Sequence, residues 1–182
     1  TEMSVPLSIL GIDYPTDIRS IGQWLIVFKA AKLRIDDQKD VDVIVQELGT
    51  DRPGDISHFG KYLHPDIAVV TAVSAEHMQS FGTVEATAVE ELAVAGFSDL
   101  SVINRDDVDA AYAKYAKTDS LVTYGLSKQA EFRIEFDAIV SPLDGKMGTL
   151  ITPDWEPVQI MTQLVGDHNI RSAAGAAAVV AN

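Results

Sequence analysis

A carboxylate and an imidazole stand just beyond two apolar runs: Glu47 follows Val41–Val45 through Gln46, and His77 follows Ile67–Val73 through Ser74-Ala75-Glu76. If the two runs are neighbouring strands, Glu47 and His77 project over one edge, where an oxygen and an imidazole nitrogen suit a divalent cation or its bound water. Structural roles fit the same spacing: Glu47 capping the helix that Asp55 begins, and His77 simply solvated. A second polar group, Gly166-Asp167-His168-Asn169, precedes an alanine-rich stretch and either caps a helix there or faces a ligand. Gly49 leaves room for a phosphate to approach, but neither GxxxxGKS/T nor GxGxxG occurs in the chain. The acidic pairs Glu90-Glu91 and Asp106-Asp107 read as solvated faces. With no cysteine and no visible Ser-His-Asp set, nucleophilic catalysis has no candidate.

These residues need elements to hold them. Val41–Val45, Ile67–Val73 and Leu100–Ile103 are rich in Val and Ile without clean alternation, as parallel strands buried on both faces are. Between them, Ile18, Ile21, Leu25 and Phe28 repeat at helical spacing, as do Ile56, Phe59 and Leu63, and Val84, Ala88, Leu92 and Ala95. Thr16, Asp55 and Thr83 occupy the positions of N-caps. The alternation predicts a doubly wound α/β layer with a mostly parallel sheet over 1–120. From Leu121 the runs Leu121–Tyr124, Phe132–Ile139, Thr149–Thr152 and Val158–Leu164 are separated by turn residues, including Ser141-Pro142 and Asp144-Gly145. They predict an antiparallel meander over 121–165, and 166–182 then reads as a closing helix.

The chain of 182 residues is 47% hydrophobic and 23% charged, enough for one core and cramped for two, so a single domain over 1–182 is expected. A net charge of −13 repels polyanions, which speaks against nucleic acid and anionic membrane surfaces as partners. The apolar stretches are too short for the roughly 20 residues that span a bilayer. No signal-peptide pattern is visible, and a cytoplasmic location is expected.

Several ordered segments together resemble one family. Glu47-Leu48-Gly49 with Asp51-Arg52-Pro53-Gly54-Asp55-Ile56, Pro65-Asp66-Ile67-Ala68-Val69-Val70-Thr71 with Glu76-His77-Met78, and Phe81-Gly82-Thr83 are similar to consecutive motifs of the Mur ligases. Ile103-Asn104 with Asp106-Asp107, Tyr124-Gly125, Gly166-Asp167-His168-Asn169 and the opening Glu2-Met3-Ser4-Val5-Pro6-Leu7 extend the resemblance over nearly the whole chain. It implies the central ATP-binding domain of an ATP-dependent amide ligase of peptidoglycan precursor synthesis, with ATP and Mg²⁺ as cofactors. A substrate carboxylate is activated as an acyl-phosphate, and an amine then displaces phosphate. The substrates implied are a UDP-MurNAc-peptide and an amino acid or D-Ala-D-Ala. Within the family the Arg-Pro-Gly-Asp variant looks most like the members that add D-alanyl-D-alanine.

Carried over by position, the resemblance makes Glu47 and His77 metal-site residues, and it places His168, Asn169 and Asn104 beside the nucleotide. Glu91 falls where the family carries a carbamylated lysine. Ala72 and Ser172 replace two family asparagines. The family's phosphate loop would precede Thr1, and its C-terminal domain, which receives the amino substrate, would follow Asn182, so the fragment alone is expected to be inactive. Two other readings remain open: a degenerate, non-catalytic domain that binds a precursor or partner, and a domain of folylpolyglutamate or cyanophycin ligase type.

Overall fold

A computed structural model describes residues 4–36, 41–141 and 145–182. The chain divides into two compact units, residues 1–50 and 51–182.

The first unit holds helices α1 (Ser4–Ile9) and α2 (Ile21–Asp36). Helix α2 starts one turn later than the Thr16 cap predicts. Ser20 is the residue that caps it, its hydroxyl accepting from Gln23 N at 3.3 Å. Thr16 instead donates to the Gln23 side chain at 3.2 Å, which also accepts from Asp17 N, so Thr16 closes the turn before the helix. Trp24 stacks on Phe28, meets Tyr14 edge-on, and donates from Nε1 to Ile18 O. The expected strand at Val41–Val45 does not form. Residues 41–50 have no regular structure, and Val45 is 95% exposed. β-branched composition favours a strand only where a neighbouring ladder and a packed face exist, and the described residues of this unit form no strand for it to pair with.

The second unit is built on one six-stranded sheet in the order β1 (Ile67–Val70), β2 (Leu100–Asn104), β3 (Leu121–Gly125), β4 (Phe132–Ser141), β5 (Gly145–Ile151) and β6 (Val158–Thr162). Strands β1 to β4 pair in parallel, and β4 to β6 form an antiparallel meander. The mixed, mostly parallel α/β fold is therefore as expected, but the change of direction comes later than Leu121. Strand β3 joins the parallel layer because the chain between β2 and β3 crosses over through a 3-10 helix at Ala110–Tyr115. The link from β3 to β4 is too short for an ordinary crossover of a dozen or more residues. It suffices because β4 runs on past the end of β3 and pairs with it only at Tyr124↔Phe132 and Gly125↔Arg133. The turn dipeptides Ser141-Pro142 and Asp144-Gly145 involve residues 142–144, which lie outside those described.

Both faces of the sheet are covered, as successive residues of β2 show. Val102 joins Tyr124, Phe132, Ile134, Ile170, Ala174 and Ala178 beneath helix α6 (Asp167–Ala181). Ile103 points the other way, to Val70, Val108, Ala88 and Leu92. Those last two belong to helix α5 (Val84–Glu91) and the 3-10 turn Leu92–Phe97 that extends it. The helical stripe Ala88, Leu92 and Ala95 is wholly buried, and Thr83 caps α5 by accepting from Ala86 N at 3.1 Å. Two short helices complete the unit, α3 (Asp55–Phe59) and α4 (Met78–Phe81). Asp55 lies inside α3 rather than at its cap, which is Gly54. Among the described residues no helix is long and apolar enough to cross a membrane.

Candidate functional site

The carboxyl ends of the parallel strands carry a connected polar cluster, and its centre is Asn104, the last residue of β2. Asn104 is buried, donating from Nδ2 to Thr71 O at 2.7 Å and to Asp107 Oδ2 at 2.8 Å, while its Oδ1 accepts from Asp106 N at 3.0 Å. One amide thus binds the end of β1 to the loop after β2. Asp107 passes the connection on, its Oδ1 accepting from Arg171 Nη1 of α6 at 3.2 Å. Asp106 turns the other way and accepts from Leu126 N at 2.6 Å and Ser127 N at 3.0 Å, fixing the loop after β3. Gly125 is required there, because a Cβ would lie 2.7 Å from the Asp106 carboxylate. The two aspartates expected on a solvated face therefore organise three loops of one edge.

Tyr124 lies beneath this cluster. Its hydroxyl is pushed up to about 12, chiefly by burial and further by the negative charge of Asp107, with Arg171 opposing, so it stays protonated near neutrality. Arg171 Nε and Ser127 Oγ are buried without a hydrogen-bond partner among the described residues. Such orphaned donors are uncommon and mark a place where a polar ligand or water completes the bonding. The loop after β2 also lines a cleft of about 540 Å³, contributing Arg105, Asp106, Asp107 and Asp109, with Val73, Val84 and Tyr112 among its other walls.

The first turn of α6 reaches this edge through Arg171. It carries His168 and Asn169, both exposed. Neither caps the helix in the ordinary sense: Gly166 is the N-cap, and Asn169 Nδ2 donates back to Val165 O at 2.7 Å. His168 folds over Gly166, where a Cβ would meet its ring at 2.7 Å. Ser172 is turned inward to its own helix, its hydroxyl donating to His168 O at 3.0 Å. Of the three residues expected beside a nucleotide, His168 and Asn169 present themselves to solvent at a helix N-terminus, where backbone N–H groups and the helix dipole favour an anion. Asn104 has its amide committed to the loops and acts through them.

A second cluster surrounds His77. This residue caps α4 in a left-handed conformation, φ 49 and ψ 34, which for a residue other than glycine stores strain of the kind found at functional sites. Its Nδ1 lies 3.5 Å from Asp51 Oδ1. Glu91, at the end of α5, is half-buried. Burial raises its carboxyl above the usual range, the charges of Glu90 and Glu76 raise it further, and His77 opposes them. Glu91 and His77 therefore share one electrostatic environment. Glu90, expected on the same solvated face as Glu91, is buried at 5% exposure and accepts from Gly54 N and Ile56 N. Glu47 belongs to the first unit and is exposed, and its backbone oxygen accepts from Gln46 Nε2 at 2.7 Å. Among the described residues no three His, Asp or Glu side chains converge as a metal site.

Sequence reasoning missed Asp51, Glu90, Asp106, Asp107 and Arg171. Two signals were available: Asp51 and Asp106-Asp107 fall inside the segments that resemble the family's motifs, and Asp106-Asp107 adjoin the end of a buried strand, where parallel sheets face the ligand crevice.

Residues 27–180 match the Mur ligase middle domain family. A UDP-N-acetylmuramate–L-alanine ligase from Stenotrophomonas maltophilia is 33% identical over 122 residues, 64% of this chain and 25% of the relative. MurF from Acinetobacter baumannii superposes with a TM-score of 0.66 at 18% identity, covering 83% of this chain and 33% of that one. The MurF ligase from Thermotoga maritima in complex with ADP gives 0.62 at 18% identity, covering 97% and 41%. The chain thus spans about a quarter of the length of the curated relative.

Proposed function

The chain belongs to the Mur ligase middle domain family, and on that premise we propose that it is the central part of an ATP-dependent ligase that adds an amino acid or dipeptide to a UDP-MurNAc-bound carboxylate in peptidoglycan precursor synthesis. The observation that carries this reading is the polar edge joined by Asn104, Asp107 and Arg171. It holds the N-terminus of α6 beside orphaned buried donors, in the place where a parallel sheet offers a ligand crevice. The residues fit a nucleotide edge: His168 and Asn169 would border it, with Arg171 Nε and Ser127 Oγ as unused donors nearby. ATP, when bound, would supply the phosphoryl group that activates the carboxylate. The chain's own residues orient: Asn104 fixes the loops, Asp106 fixes the segment after β3, and the Asp107–Arg171 pair ties α6 to the loop after β2.

The proposal includes a divalent cation. Glu47 and His77 are proposed as two of its ligands and Glu91 as the carboxylate in place of a carbamylated lysine. Among the described residues no three His, Asp or Glu side chains complete a coordination set. The finer reading, addition of D-alanyl-D-alanine to the UDP-MurNAc tripeptide, is supported by the Arg52-Pro53-Gly54-Asp55 segment and the likeness to MurF; the curated relative adds L-alanine to UDP-MurNAc. Incubating the full-length protein with ATP and each substrate pair, with products read by mass spectrometry, separates these reactions. A UDP-linked amide product with stoichiometric phosphate supports the proposal. Failure of both pairs, with protein that binds nucleotide, moves the activity to another substrate class, and failure to bind nucleotide favours the non-catalytic reading.

A further inference from the structure

Helix α3 begins without a side-chain cap of its own, since its N-cap is Gly54 at φ 95. The acceptor comes instead from another helix. The Glu90 carboxylate, from α5, receives Gly54 N at 2.7 Å and Ile56 N at 2.6 Å, its two oxygens taking one donor each. Bonds this short between backbone N–H groups and a carboxylate are the strong kind, and Glu90 is almost wholly buried, so little water competes for them. A second carboxylate closes the same loop: Asp55 Oδ2 accepts from Asp51 N and Arg52 N, both at 3.0 Å. The segment 51–56 is therefore tightened by Asp55 and pinned to α5 by Glu90.

The pinning delivers Asp51. Its side chain is mostly exposed and lies 3.5 Å from His77 Nδ1, a contact that depends on where the loop backbone is held. His77 is held from its own side, its carbonyl accepting from Ser80 N at 2.8 Å and Phe81 N at 3.1 Å at the start of α4. Glu91, one residue beyond Glu90, lies in the field of His77. Helix α5 thus carries adjacent carboxylates in different settings: Glu91 is half-buried and feels the charge of His77, and Glu90 holds the loop that carries Asp51.

We propose that Glu90 is a positioning residue of the candidate ligase site, anchoring the 51–56 loop to α5 so that Asp51 is set against His77. The assignment rests on the reading of His77 as a site residue. Glutamine cannot replace Glu90: its oxygen would serve one backbone N–H, and its NH₂ would face the other donor.

The test is a coupling measurement on full-length protein labelled at histidine ¹³Cε1, where this chain contributes four histidines. Glu90→Gln is expected to shift the His77 ring signal and to speed amide exchange at Gly54 and Ile56 by about tenfold or more. In an Asp51→Asn background the same change should leave the His77 signal where Asp51→Asn alone puts it, because the group being positioned is already altered. General loosening of the core would move His77 equally in both backgrounds and would overturn the assignment, as would an unmoved His77 in folded Glu90→Gln. Should Glu90→Gln not fold, Asp55→Ala opens the loop from its other side by removing the acceptor of Asp51 N and Arg52 N. It must shift the His77 ring signal from its position in the parent, and an unshifted ring there overturns the proposal. Ligation by the same preparations keeps the two readings apart. A wild type that ligates while His77 ignores Glu90→Gln refutes the positioning role alone. Coupled His77 shifts in a protein without ligase activity refute the ligase reading alone.

Discussion

Replacing Gly175 with alanine sets two effects of opposite sign against each other at the contact that seats α6 on the sheet. In the interior of a 15-residue helix, Gly→Ala ordinarily stabilises by about 0.5–1 kcal/mol, because alanine loses less backbone freedom on folding. Here the new Cβ would sit 2.8 Å from Tyr124 Cε2 and 3.0 Å from Cζ. The ring has nowhere to retreat, being 2% exposed and packed among Val102, Phe132, Ile134, Ile170 and Ala174. Overpacking of this kind costs about 1–3 kcal/mol and exceeds the propensity gain, leaving a net destabilisation of about 1–2 kcal/mol. Urea unfolding followed by circular dichroism reads the difference, with an unchanged slope showing that the denatured state is unaltered. Gly22→Ala is the control: Ser20 Oγ, at 3.9 Å, is the nearest atom its Cβ would meet, so that change should be neutral or stabilising. A Gly175→Ala protein as stable as the parent, or more so, would refute the packing of α6 against β3 described above.

Glu91 gives a pH signature. Its folded-state pKa is raised, so the native state holds this proton more tightly than the unfolded chain, and stability is lost as pH rises from 4.5 through the folded value. Glu91→Gln should therefore be more stable than the parent at pH 7, with the advantage fading below pH 4.5; denaturant midpoints across that range check it. In full-length protein with the proposed ligase activity, the same variant should lose kcat/KM by tenfold or more, on the order of 1.4 kcal/mol, if the carboxylate serves the reaction, and unchanged kinetics would remove that role. Asp106→Ala removes the carboxylate that accepts from two backbone N–H groups and should destabilise by about 2–3 kcal/mol, with amide exchange accelerated first at Leu126 and Ser127. The isolated 182-residue chain should give little heat when titrated with Mg-ATP, since it has no phosphate-loop pattern, and micromolar affinity would contradict this.

The parallel layer was legible because its strands are apolar on both faces and its helices carry stripes such as Ala88, Leu92 and Ala95, which the core then buries. Val41–Val45 has the same composition and forms no strand, since composition cannot say whether a partner strand is at hand. The direction of β3 was hidden for a related reason: a crossover made of a 3-10 helix leaves no 3.6-residue stripe to recognise. At the site, polar residues at strand ends could be named, but not their division of labour. Asn104, read as a nucleotide contact, holds loops together, and Glu90, read as solvated, is a buried anchor whose backbone partners lie 34 and 36 residues away. Only the fold brings Glu90 to Gly54, and no local pattern encodes that contact.

The central claim is that the carboxyl edge of the sheet at the N-terminus of α6 receives the nucleotide of an ATP-dependent ligase. A crystal structure of the full-length protein grown with ADP tests it most directly. The account predicts ADP against the first turn of α6, bordered by His168 and Asn169, with Arg171 Nε and Ser127 Oγ bonded directly or through ordered water. ADP bound elsewhere, with those two atoms still unpartnered and the edge empty, would contradict it.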